Sequence, residues 1–308
     1  MCDIWQHADA QELSAASLTR HRDSLIHLGV RQVVLSGGEP LLNRDLPAIL
    51  DFFRALGIHV TLLTTGLLLH KRAALLVEGV DDIIVSLDGP AAIHDAIRRV
   101  PRAFDTINRG VEAIRSIRPT MPIACRTTVQ KQNHSHLQAT VDAAHSVALD
   151  SISFLPVDLT SIAFNRERHW SSGRQDEVAL TARELAALEL EIEGLIANYL
   201  LDIRTRFIRE NETKLRHLAI RFREHLIYTP PRSPKCNAPW VSTVMDVDGT
   251  LRPCFFHPPF ASTAELTLEQ ALNSPMARVF RSNLDVASNR TCQRCVCSLN
   301  YHAETSIF

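Results

Sequence analysis

The chain has 308 residues, 45% of them hydrophobic and 22% charged, with a net charge of −1. That composition suits a globular protein long enough for one large domain and a smaller one. The charge balance gives no field to draw the chain to nucleic acid or an anionic membrane, so neither is an expected partner. No run of about 18 apolar residues reads as a membrane span. No basic stretch followed by an apolar run reads as a signal peptide, and a cytoplasmic setting is the expectation.

Residues 10–28 predict a helix that ends at Gly29, a suitable C′ residue. "RQVVLSGGEP" then gives a short buried strand over 31–36 running into a glycine turn. Asn43 is the expected cap of the next helix, where Leu46, Ile49, Phe53 and Leu56 have helical spacing and Pro47 falls in the first turn. "IHVTLLTTG", "DDIIVSLDG", "MPIACRTTV" and "DSISFLP" predict four more strands, with a helix over 134–147 before the last. Strand starts near 31, 58, 82, 122 and 150 leave room for crossover helices. Such apolar, β-branched strands fit a parallel sheet covered by helices, an α/β partial or full barrel. Chemistry in that architecture sits at the C-terminal ends of the strands.

From about 165 to 227 the pattern reads as helices alone. Leu185, Leu188, Ile192, Leu195 and Tyr199 make one stripe; Phe207, Leu215, Leu218 and Phe222 make another. Arg204, Arg209, Lys214, Arg216, Arg221 and Arg223 flank the second as a solvated face. "TPPRSP" at 229–234 reads as a linker, followed by a hairpin turning at Asp248-Gly249 and a helix near 267–280. The expected domains are a barrel core over 1–160, a helical segment over 161–228 and a cysteine-rich domain over 229–308.

Seven cysteines stand at 2, 125, 236, 254, 292, 295 and 297. In a reducing compartment, five of them beyond position 235 point to metal before disulfides. Cys125, inside a strand, reads as a packed core thiol. Cys292 and Cys295 form a Cys-x2-Cys pair, a spacing that serves zinc or an iron–sulfur cluster. In "LSGGEPLL", two glycines after a buried strand let the backbone approach a ligand, and Glu39 adds a carboxylate. His94 and Asp95 read as capping or helix-surface residues and His257 as a loop histidine. Trp240, Phe255 and Phe256 are expected to shield the small domain's core.

"SGGEPLL" resembles the GGEP motif of radical S-adenosylmethionine (SAM) enzymes. The resemblance implies that Ser36, Gly37, Gly38, Glu39 and Pro40 hold the amino group of SAM. "SLDGPAAIHDAIR" is similar to a later turn of that family, where Ser86 and Asp88 would face the ribose or carboxylate. "CRTTVQKQNHSHL" is similar to the next segment, with Arg126 reaching the SAM carboxylate. The TTG turn departs from the more usual TNG, so Thr65 stands in place of an amide. The opening Met-Cys-Asp-Ile-Trp is similar to the end of the family's Cys-x3-Cys-x2-Cys motif, which makes Cys2 its third cysteine. The first two cysteines and the first barrel strand are then missing from this chain. A mis-assigned start, a fragment or a true truncation would each explain that. As written, the chain is not expected to hold that [4Fe–4S] cluster, because one thiolate replaces three.

The family's cluster reduces SAM to a 5′-deoxyadenosyl radical that abstracts a substrate hydrogen, while the protein orients and shields it. The C-terminal region resembles the SPASM or twitch extensions, which begin Cys-x(9–15)-Gly-x4-Cys; Cys236, Gly249 and Cys254 match. The later SPASM cysteines do not, so one auxiliary cluster is expected. Its ligands would be Cys236, Cys254, Cys292 and Cys295, with Cys297 able to replace one of them. The implied function is hydrogen abstraction from a peptide, protein or cofactor precursor, with an electron donor such as flavodoxin or ferredoxin. The alternative is a non-catalytic, zinc-binding scaffold on a degenerate barrel.

Overall fold

The structure, a computed structural model, describes residues 3–4, 11–164, 166, 168–227 and 234–301. These fall into two compact units: one within Arg31–Val157 and Ser171–Thr229, the other within Met1–Val30, Asp158–Trp170 and Pro230–Phe308. No helix among the described residues is long and apolar enough to cross a membrane.

The larger unit is built on five strands: β1 (Gln32–Leu35), β2 (His59–Thr64), β3 (Asp82–Ser86), β4 (Ile123–Val129) and β5 (Ser151–Pro156). They lie in sequence order and every neighbouring pair is parallel. With helices between the strands, this is the expected α/β partial barrel. The period-2 alternation assigns the two faces. Along β4, Ile123, Cys125, Thr127 and Val129 are buried while Ala124, Arg126 and Thr128 are half-buried. The register continues the buried set as Leu35–Leu62–Ile83–Ile123 and Val85–Cys125–Ile152. The less covered set includes the row Ser86–Arg126–Ser153.

Helices Leu69–Gly79 and Ala103–Ile117 pack on one another at Gly110, where a Cβ would lie 2.5 Å from that of Leu69. Any side chain at 110 would force them apart. Helix Leu46–Ala55 starts at Asp45 rather than Asn43, whose Oδ1 accepts from the Asp45 N–H at 2.7 Å in the turn before it. The helix expected over 134–147 spans Leu137–Ser146, because Asn133 ties down the preceding turn by accepting from the Gln130 N–H and donating to the Thr128 carbonyl.

The 171–227 region is not helical throughout. Between helices Leu200–Arg204 and Glu212–Ile227, Ile208 makes a parallel bridge to Ile152. The Ile152 N–H donates to the Phe207 carbonyl at 2.7 Å, and the Arg209 N–H donates to Ile152 at 2.9 Å. One residue thus covers part of the β5 edge, which would otherwise offer unpaired backbone groups. Phe207 leaves the expected stripe and stacks on His145. The other stripe holds: Leu185, Leu188, Ile192 and Leu195 are buried on helix Ala182–Asn198, which a Thr181–Glu184 capping box starts.

In the smaller unit the helix expected over 10–28 is two short ones, Ala15–Thr19 and Arg22–His27, the second followed by Gly29 at φ +61°. The hairpin turns as expected, with β6 (Val244–Met245), β7 (Thr250–Arg252) and β8 (Ala261–Ser262) in an antiparallel sheet. Gly249 at φ +82° supplies the left-handed step of that turn. The helix expected near 267–280 divides into Leu268–Leu272 and Pro275–Asn283, because Ser274 caps a second start and Pro275 has no N–H to continue the first.

Candidate functional site

At the C-terminal end of β1, Ser36, Gly37 and Gly38 are exposed and Glu39 and Pro40 half-buried. Gly37 has φ +146°, a region side chains rarely adopt, and no atom beyond its chain neighbours lies within 4 Å of where its Cβ would be. The loop therefore presents bare backbone to open space. Glu39 caps the 3₁₀ turn Pro40–Leu42, its Oε1 accepting from the Leu41 N–H at 3.2 Å. The same carboxylate accepts from Thr64 Oγ1 at 2.8 Å and from the Thr65 N–H at 2.9 Å, and also from Thr65 Oγ1. The TTG turn, which lacks the amide of the more usual TNG, is thus what fixes Glu39. Sequence reasoning had no signal for it, because the partners are 25 and 26 residues apart.

Ser86 and Arg126 are register partners, and Arg126 Nε lies 3.3 Å from Ser153 Oγ. Asp88 is buried instead. Its Oδ2 lies 2.7 Å from Arg98 Nε, and its carbonyl accepts from Asn133 Nδ2 at 2.9 Å. The Asp88 N–H donates to His94 Nδ1 at 3.1 Å. His94 is 1% exposed, and burial pushes its pKa down to about 4, so the ring is a neutral acceptor rather than a helix-surface group. Asp95 does cap, accepting from the backbone N–H groups of Arg102 and Phe104 at 2.7 and 2.9 Å.

Glu210 is a further carboxylate here that the sequence did not single out. It accepts from the Phe154 N–H at 3.0 Å; burial pushes its pKa up, opposed by that bond and by the positive charge of Arg126. In "IRENE" it looks like an ordinary helix-start acid. Cys125 is a core thiol as expected, 1% exposed.

The second cluster of chemistry lies in the smaller unit. Cys236, Cys254, Cys292, Cys295 and Cys297 line one cavity of about 30 Å³. Asn237 draws the two ends of the motif together: its Nδ2 donates to the Tyr301 carbonyl at 2.6 Å and its Oδ1 accepts from the Tyr301 N–H at 2.9 Å. Asn289 caps the short helix Arg290–Gln293 and so sets Cys292, whose N–H it accepts at 3.1 Å. Burial pushes the thiols of Cys254 and Cys295 up, and that of Cys292 to about 11. At Cys254 the neighbouring backbone of Phe256 and His257 opposes that rise. The Cys297 N–H donates to Cys295 Sγ at 3.3 Å, and His257 Nε2 lies 3.3 Å from Cys292 Sγ.

Five thiols lining one cavity suit the thiolate shell of an iron–sulfur cluster. Tetrahedral zinc at about 2.3 Å needs sulfurs roughly 4 Å apart. Among the described residues no three His, Cys, Asp or Glu side chains converge that way, although five thiols share the cavity. A cluster spreads its thiolates around a larger body, and N–H groups aimed at sulfur stabilise their charge. Phe256 shields the cavity as expected, but Phe255 and Trp240 are about half exposed.

Cys2 lies outside the described residues; its neighbour Asp3 does not. The Asp3 N–H donates to the Phe164 carbonyl at 3.0 Å and its carboxylate accepts from Trp170 Nε1 at 2.8 Å.

Residues 1–144 match the sequence pattern of the radical SAM superfamily, and residues 236–296 that of SPASM, an iron–sulfur cluster-binding domain. Over those residues the chain has a radical SAM domain followed by a SPASM domain. The superfamily's cofactors are a [4Fe–4S] cluster and SAM, and those of SPASM domains are auxiliary iron–sulfur clusters.

The AdoMet-dependent heme synthase of Methanosarcina barkeri is 29% identical over 191 residues, which cover 58% of this chain and 54% of that protein. The pre-heme d1 synthase of Dinoroseobacter shibae is 34% identical over 41% of this chain and 31% of its own length. A probable GTP 3′,8-cyclase of Methanopyrus kandleri is 41% identical over 33% and 34%. The chain thus spans about half or less of the length of these curated relatives.

Among solved structures, anSMEcpe with bound AdoMet and a peptide superposes with a TM-score of 0.64 at 15% identity, covering 91% of this chain and 78% of that one. Streptococcus suis SuiB bound to its precursor peptide SuiA gives 0.61 at 15%, covering 97% and 68%. These likenesses establish the radical SAM fold with its small C-terminal domain.

Proposed function

We infer that this chain is the radical SAM and SPASM portion of an enzyme that abstracts hydrogen from a peptide or a cofactor precursor. The observation that carries the SAM reading is the Glu39 clamp. Thr64 and Thr65 fix the carboxylate while Gly37 and Gly38 stay open beside it, a rigid acceptor surface for the SAM amino group. Ser86 and Arg126 offer a hydroxyl and a guanidinium on the less covered face for the ribose and carboxylate. Asp88 fixes their turn through Arg98 and Asn133. When bound, the cluster and SAM supply a 5′-deoxyadenosyl radical that takes a hydrogen atom from the substrate. Arg126 and Glu210 bring opposite charges to the same region, a polar floor suited to a zwitterionic or amide-bearing substrate.

The heme synthase and cyclase relatives support a cofactor precursor as substrate, and the peptide-bound neighbours support a peptide. Cys236, Cys254, Cys292 and Cys295 are the proposed auxiliary-cluster ligands, with Cys297 as a possible substitute. The test is anaerobic iron and sulfide loading of a chain carrying all three cysteines of the N-terminal motif, followed by reduction with SAM. Release of 5′-deoxyadenosine is expected, and its absence would overturn the reading.

A further inference from the structure

The cysteine cavity contains one side chain that the ligand pattern does not use. His257 is 5% exposed, although "CFFHPP" reads as a loop. Its ring stands edge-on to Phe280, with centroids 5.1 Å apart, and its Nε2 lies 3.3 Å from Cys292 Sγ. The contact joins the stretch after the hairpin to helix Arg290–Gln293, 35 residues further along.

We propose that His257 is a positioning residue of the auxiliary cluster: its Nε2–H donates to the Cys292 thiolate and raises the cluster's reduction potential. This rests on the cysteine cavity being a cluster site. A metal-bound thiolate has no proton to give, so the nitrogen facing it must carry one. The fixed ring of Phe280 holds the imidazole edge toward the sulfur. Reduction adds negative charge to the cluster, and a hydrogen bond to sulfur stabilises that charge, which moves the potential upward.

The wild-type chain, His257→Gln and His257→Leu would be loaded anaerobically with iron and sulfide, assayed for iron, and titrated by electron paramagnetic resonance. Equal iron per chain in all three is expected. The midpoint potential should fall in His257→Leu and return toward wild type in His257→Gln, whose amide N–H reaches a similar point. With histidine isotope-labelled at its ring nitrogens alone, the reduced wild-type cluster should show one weak nitrogen coupling that His257→Gln abolishes. If His257→Leu does not fold, that coupling and the glutamine variant decide. An unchanged potential in a folded His257→Leu, no nitrogen coupling, or the strong coupling of a directly bound imidazole would each overturn the proposal. Failure of the wild-type chain to take up a cluster would overturn the cluster reading, and this inference with it. A cluster without the histidine signature would overturn this inference alone.

Discussion

Trp170 Nε1 donates a 2.8 Å hydrogen bond to the carboxylate of Asp3, the residue that follows Cys2. Trp170 is itself held by Arg166, whose guanidinium lies 3.7 Å from its ring centroid and forms a buried 2.7 Å ion pair with Asp158. Trp170 and the Phe164 carbonyl thus hold Asp3 in place. Trp170→Phe keeps an aromatic face under Arg166 and removes only the donor. A double-mutant cycle of Trp170→Phe with Asp3→Ala, read by urea unfolding, should give a coupling of about 1.5 kcal/mol, the scale of a bond to a charged group. A coupling of zero would show that the bond does not hold Asp3.

Glu39 needs both threonines of the TTG turn. Thr65→Val keeps the 2.9 Å backbone N–H bond but loses the hydroxyl, whereas Thr65→Ser keeps both. Losing one bond to a carboxylate costs about 1.5 kcal/mol, or roughly a tenfold change in affinity. SAM binding measured by calorimetry should therefore weaken about tenfold in Thr65→Val and stay near wild type in Thr65→Ser. Glu39→Gln turns an amide N–H toward the same donors and should weaken binding further. Equal affinity across the series would remove Glu39 from the SAM site.

The legible and illegible parts of this molecule divide by the range of the interaction. Five strands were readable because runs such as Ile83–Ile84–Val85 must be buried whatever surrounds them. The Asp248-Gly249 turn was readable because its φ demands glycine. Ile208 was not, since a one-residue bridge leaves no periodicity. Thr65 gives no signal for a related reason. Its neighbours in sequence carry no trace of Glu39, which reaches it only once β1 and β2 are paired. His257 reads as a loop residue because of the prolines after it, while its burial comes from Phe280 and Cys292, both far along the chain.

His94 makes stability depend on pH. An unfolded imidazole titrates near 6.5, whereas burial holds the folded one at about 4. Arg98 adds to the depression, and Asp88 and Asp95 oppose it. Between those values the unfolded state binds a proton that the native state does not, so stability rises with pH and is lost as pH falls through the window. The full loss is on the order of 3 kcal/mol. Urea midpoints measured between pH 7 and 4.5 should fall for the wild type and fall less for His94→Asn, whose Oδ1 accepts the Asp88 N–H without titrating. Parallel pH dependences would refute this assignment.

The cysteine cavity allows the proposed ligands to be separated by substitution. Cys295 is half-buried and its sulfur receives the Cys297 N–H at 3.3 Å, whereas Cys297 is exposed. A cluster thiolate gains from enclosure and from that N–H, so Cys295 is the better fourth ligand. Serine at 236, 254, 292 or 295 should each abolish the brown colour and reduce bound iron from about four per chain, one cubane's complement, to near zero. Cys297→Ser and Cys125→Ser should leave it intact, the latter because that thiol is sealed in the sheet core. Iron retained in Cys295→Ser but lost in Cys297→Ser would exchange the two roles. A colourless wild-type chain with one zinc, lost on substituting these same cysteines, would instead establish the scaffold reading.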